Sequence, residues 1–112
     1  MTYLRGEALM PANVLHQPRV AFDAARTLVD VCAADDIFAW YGDQLAAVLG
    51  PSYQRDLLAT RTELTRSQRV DIRNIETGKW RVKLEDVLRT RADIAERLHH
   101  LTQSATTRLA RE

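Results

Sequence analysis

The stretch Ile72-Arg-Asn-Ile-Glu-Thr-Gly-Lys79, followed by Trp80-Arg-Val-Lys-Leu-Glu-Asp-Val-Leu88, decides how the chain is read. Ile72 and Ile75 are three apart and share one helical face. Gly78 suits the left-handed residue that closes a helix, and Lys79 suits the exposed carbonyls at such an end. Glu85 and Asp86 suit the positive end of a following helix. The spacing therefore predicts a helix up to about Thr77, a bend at Gly78, and a second long helix beyond it. Trp80-Arg-Val-Lys-Leu84 also alternates as a short extended segment would, so residues 79–84 are open to either form.

Outward from this point the pattern stays helical. Leu84, Val87, Leu88, Ile94, Ala95, Leu98, Leu101, Ala105 and Leu109 keep one face apolar, with Arg91 interrupting the stripe. Upstream, residues 53–77 lack glycine and proline and carry sparse apolar residues. They read either as one long helix or as two divided near Thr65–Ser67, with Ser52 as the cap. Gly50-Pro51 ends the preceding helix, which Asp35 or Asp36 caps and which holds Phe38, Trp40 and Tyr41. Val20, Ala24, Leu28 and Val31 recur at helical spacing from Pro18, which suits a first turn. Residues 1–17 form an irregular arm, with a short turn around Thr2–Leu9. The fold class is thus all-α: one four-helix, bundle-like domain over residues 18–112 with a long C-terminal helical hairpin.

At 112 residues, one domain with a modest core is expected. No apolar run approaches the roughly 20 residues that span a bilayer. Cys32 is the only cysteine, which excludes an internal disulfide framework and makes a reduced, cytoplasmic setting the default. Its Ala/Val-rich surroundings read as core. No catalytic elbow and no phosphate-cradling glycine loop is present, so no enzyme activity and no cofactor are expected. His99 and His100 are sequence neighbours, not an i, i+4 pair, and do not read as metal ligands.

Net charge is +1, but its distribution is uneven. Residues 55–91 hold ten of the sixteen basic side chains against six acidic ones, whereas residues 1–54 hold three basic and six acidic. Arg55, Arg61, Arg66, Arg69, Arg73, Lys79, Arg81 and Lys83 are therefore candidates to meet phosphates. Arginine dominates, which suits forked contacts to phosphate or guanine. The plain alternative is ion pairing on the helix surface with Glu63, Asp71 and Glu76.

Ile72-x-x-Ile75-Glu76-x-Gly78-Lys79, then Leu84-Glu85-x-x-Leu88-Arg89, resembles the second half of the Cro/Xre-type helix-turn-helix domain. Gly50-Pro-Ser-Tyr-Gln54-Arg-Asp-Leu57-Leu58 resembles its first helical segment, so the likeness spans residues 50–89. It implies a recognition helix at Ser67–Ile75 that enters the major groove of duplex DNA. Gln68, Arg69 and Arg73 would meet base edges, while Gln54, Lys79 and Arg81 would clamp phosphates. Arg66 and Lys83 would add to the same basic face. Ile72, Ile75 and Leu84 would be core, and Glu76 structural. The last helix would join two copies into a homo-oligomer. Two functions follow as expectations: a small DNA-binding regulator, or a structural helical subunit of a larger assembly, such as a nucleoprotein complex or a phage particle.

Overall fold

The computed structural model describes residues 16–111. The predicted turn around Thr2–Leu9, and nearly all of the expected arm, lie outside them. The described residues form an all-α, bundle-like domain of five α-helices, one more than the sequence suggests. These are α1 (Gln17–Val31), α2 (Asp35–Leu49), α3 (Pro51–Arg66), α4 (Ile72–Thr90) and α5 (Ala95–Ala110), with a single 3-10 turn at Ala92–Ile94 before α5. Among the described residues, no helix is long and apolar enough to cross a membrane.

α1 opens with Pro18 in its first turn and buries Val20, Ala21, Ala24, Ala25, Thr27, Leu28, Val29 and Val31. It packs most extensively on α4, then on α5, and also meets α2 and α3. α2 begins with Asp35 and Asp36 in its first turn, where their charges suit the helix dipole. Its cap residue, however, is Ala34, and no side chain makes a capping hydrogen bond. Gly50, at φ 115°, is the single residue between α2 and α3. That conformation strains any residue with a Cβ, so glycine is required there. Gly50 also stands at the α3 cap in place of the expected Ser52, and Pro51 fills the first helical turn.

α2 runs antiparallel to α3, with Asp35 beside Arg61 at one end and Asp43 beside Gln54 toward the other. It is likewise antiparallel to α5, with Ala47 beside Arg97 and Trp40 beside Arg108. α3 and α4 meet through Trp80, whose indole N–H donates to the Thr60 hydroxyl at 2.7 Å inside the core. The Tyr53 ring lies 6.5 Å from that of Trp80.

The break at Thr65–Ser67 is real: α3 stops at Arg66, and residues 67–71 link it to α4. Gly78, by contrast, neither closes a helix nor makes a bend, and residues 79–84 are helical, not extended. The reason is the buried stripe Glu76, Trp80, Leu84 and Leu88, which runs at i+4 spacing straight past the glycine. Glycine within a helix costs about 1 kcal/mol. Burying Trp80 and Leu84 outweighs that cost, at roughly 1.5–3 kcal/mol per large apolar side chain. The bend of the C-terminal hairpin falls instead at Arg91, with φ −132° and ψ 64°. Arg91 would lie on the apolar stripe if the helix continued past Leu88. Ending the helix leaves its guanidinium in solvent and turns Ile94, Leu98, Leu101 and Ala105 back to the core.

One core group is unsatisfied. The Tyr41 side chain is fully enclosed, and its hydroxyl has no hydrogen-bond partner among the described residues. Burial, and to a lesser degree the nearby Cys32, raise its phenol pKa, so it stays neutral. An orphaned buried hydroxyl costs about 1–3 kcal/mol. Tyr41→Phe should therefore stabilise the fold by about 1 kcal/mol, seen as a rise of roughly 4 °C in thermal unfolding by circular dichroism. An unchanged or lower midpoint would show that the hydroxyl is satisfied.

Candidate interaction surfaces

The basic residues singled out in the sequence do not converge on one face. Arg66, Gln68, Arg69 and Arg73 gather around the α3–α4 link. The helix expected over Ser67–Ile75 is not formed as a unit, because residues 67–71 are non-helical and α4 starts at Ile72. Gln54 instead faces α2 and donates from Nε2 to Asp43 at 3.0 Å. Lys83 sits at the α3–α4 seam, 2.8 Å from Asp56 and over the rings of Tyr53 and Trp80. Lys79 and Arg81 project from α4 further along. Of the expected core residues, Leu84 is fully buried, while Ile72 and Ile75 are only half-buried.

These cations are also largely paired. Eight of the ten basic residues between 55 and 91 lie beside a carboxylate of the same chain. Arg61 bonds Asp35 at 2.6 Å, and Arg73 bonds Asp30 of α1. Arg66 pairs with Glu63, Arg81 with Glu85, and Arg89 with Asp86. Arg69 grips Asp71 through Nε at 2.9 Å and Nη2 at 3.0 Å, which holds that carboxyl below its usual pKa range. Lys79 reaches Glu76, which is buried and has the structural position expected of it. Exposed pairs of this kind contribute only about 0–1 kcal/mol each to stability. Their larger effect is to replace a positive field with short dipoles.

A different surface is open between α2 and α3. Phe38, Ala39, Gly42, Leu57 and Leu58 line a mainly apolar groove of about 400 Å³, with Asp43, Gln54 and Arg55 at its rim. Gly42 lets the helices approach, since a Cβ there would lie 3.2 Å from Gln54 Nε2 and 3.6 Å from Leu57 Cδ2. The Arg61 guanidinium covers the Phe38 ring, 4.3 Å from its centroid. Leu58 is 57% exposed although its neighbour Leu57 is fully buried. Arg55 has no carboxylate partner among the described residues. α3 as a whole buries only Leu57 and Thr60. Sequence reading missed this face, although adjacent leucines were a signal: both cannot point into one core.

Another depression, about 730 Å³ between α1 and α5, is lined in part by threonines whose hydroxyls are already used. Thr102 and Thr107 donate to carbonyls one turn earlier, and Thr27 meets Thr106 at 3.5 Å. No cluster of three or more metal-ligating side chains occurs among the described residues. Comparison with protein-family models, with curated proteins and with solved structures gave no match.

Cys32 is buried, and its thiol is pushed up to about 12, mainly by burial, with Arg61 and Arg73 offsetting part of the effect. Since only the thiolate attacks, Cys32 is not a nucleophile near neutral pH. Iodoacetamide at pH 8 should label it only as fast as the chain opens, with labelling accelerating in urea alongside loss of helicity. The raised folded pKa also means that stability falls as pH climbs above the unfolded thiol's value of about 8.5. Rapid labelling of the native chain would contradict the burial.

Proposed function

We propose that this protein is a non-catalytic helical subunit of a larger assembly, acting through protein–protein contacts on its outer α2–α3 face. The carrying observation is the open groove in which Leu58 is exposed beside Phe38 and Leu57. A single exposed leucine needs no explanation, whereas a continuous apolar groove beside a helix with two buried residues invites a partner. The chemistry specifies that partner: a helix placing one large apolar side chain against Phe38 and Leu58, with a carboxylate positioned for Arg55. The lone thiol suits a reducing, cytoplasmic setting.

Pairing through the C-terminal helix has less support. Ala95, Leu98, Leu101 and Ala105 are all buried within the chain, leaving α5 no free apolar stripe. The duplex-DNA reading has one observation in its favour. Arg66, Gln68, Arg69 and Arg73 cluster around an exposed link, and surface pairs can exchange a carboxylate for a phosphate. Against it stands the pairing of eight of the ten cations in that region.

A photo-crosslinking residue at position 58 of the full chain, used in source cells, separates the two. The subunit reading expects one adduct, mapped to a helical segment with a large apolar side chain near an acidic one. It also expects a stoichiometric complex on sizing that Leu58→Asp abolishes while helicity and melting temperature hold. If the chain runs alone and binds duplex DNA with a steep salt dependence that Arg69→Ala and Arg73→Ala remove, the regulator reading replaces it.

A further inference from the structure

The α2–α5 side carries arginines that, among the described residues, have no carboxylate partner. Arg97 uses one of its five donors on the Ala47 carbonyl, at 3.1 Å, at the end of α2. Arg108 lays its guanidinium 3.8 Å from the centroid of the Trp40 ring. Between them, Gln44 from α2 and His100 and Ser104 from α5 line a depression of about 290 Å³. Positions 97, 100, 104 and 108 follow three- and four-residue spacing, so one face of α5 presents them over about 17 Å. Acidic side chains are close by: Asp36 lies one turn before Trp40 and Glu96 adjoins Arg97, while Asp43, three residues after Trp40, accepts from Gln54 of α3.

Cations spaced along a groove suit a chain of phosphates. A planar Trp–Arg stack suits a nucleobase, because every base has a π-face and both side chains offer one. The depression, at about 290 Å³, is of a size to take one base. We propose that the α2–α5 groove binds single-stranded nucleic acid, with a base stacked on the Arg108–Trp40 pair and a phosphate held by Arg97. Gln44, His100 and Ser104 supply hydrogen bonds to the strand between them. The groove lies on the opposite edge of α2 from Phe38 and Leu58, so the inference goes beyond the protein-docking reading and does not rest on it.

The test is fluorescence anisotropy of the full chain with labelled oligothymidine of about 12 nucleotides, within the range of roughly 4–16 for such sites. Arg97→Gln with Arg108→Gln should weaken binding at least about tenfold and lower the salt slope by about 0.7, for the one phosphate held by Arg97. Arg108→Gln alone, which leaves the α2 carbonyl contact intact, should still weaken binding. Trp40→Leu should weaken it about five- to a hundredfold with the salt slope retained, as loss of stacking predicts. Arg69→Ala with Arg73→Ala, and Leu58→Asp, should leave it unchanged. The proposal is overturned if oligothymidine does not bind at about 50 mM salt, or binds equally after the Arg97 and Arg108 changes. It is equally overturned if polyglutamate of the same length displaces the strand with equal affinity, since the groove would then read charge alone.

Discussion

Everything in this domain leans on the packing of α1. Eight of its fifteen residues are buried, and Ala21, Ala24 and Ala25 are wholly enclosed. Small side chains let neighbouring backbones come close, and here four other helices meet the same rod. Isolated helices of this length are marginal in water, so none of the five stands without that shared contact. The arrangement also explains why α4 is continuous. Its buried stripe must stay in register with α1 from Glu76 to Leu88, and a bend at Gly78 would take half of it off the core.

Because α1 holds the core, α3 is left with little to do inside. It is fastened by the Trp80–Thr60 hydrogen bond and by Leu57, and presents its remaining surface outward. Its Arg61 pairs with Asp35 of α2 and its Asp56 with Lys83 of α4, while Arg73 of α4 pairs with Asp30 of α1, so the basic excess visible in the sequence becomes a set of local bridges. Arg108 and Arg97, on a helix that is charge-neutral overall in its neighbourhood of the sequence, remain without carboxylate partners among the described residues. Charge counted along a chain and charge presented by a fold are thus different quantities here.

Much of the architecture was legible in the residues. Pro18, Gly50-Pro51 and the three- and four-residue apolar spacing place α1, α2 and the start of α3 within a residue or two. The two differences in where helices bend share one cause: local propensity favours a stop at Gly78 and apolar periodicity carries the helix through Arg91, but tertiary burial decides both. Gly78 is tolerated because the stripe continues past it, and Arg91 ends a helix because it cannot be buried. The surfaces were less legible. Asp30 and Arg73 are far apart in sequence, as are Asp56 and Lys83, so pairing across helices carries no local signal. The same holds for Trp40 beneath Arg108, and for the groove that Phe38 and Leu58 line together.

The mutual neutralisation of the surface has a kinetic consequence. A partner approaching the α2–α3 face feels almost no field beyond the Debye length of about 8 Å. Encounter is then governed by diffusion and orientation, at roughly 10⁵–10⁶ per molar per second, not by attraction from afar. A subunit docking through that face would join its neighbours at a pace nearly indifferent to ionic strength. The order in which pieces meet would then be set by their abundance and not by their charge.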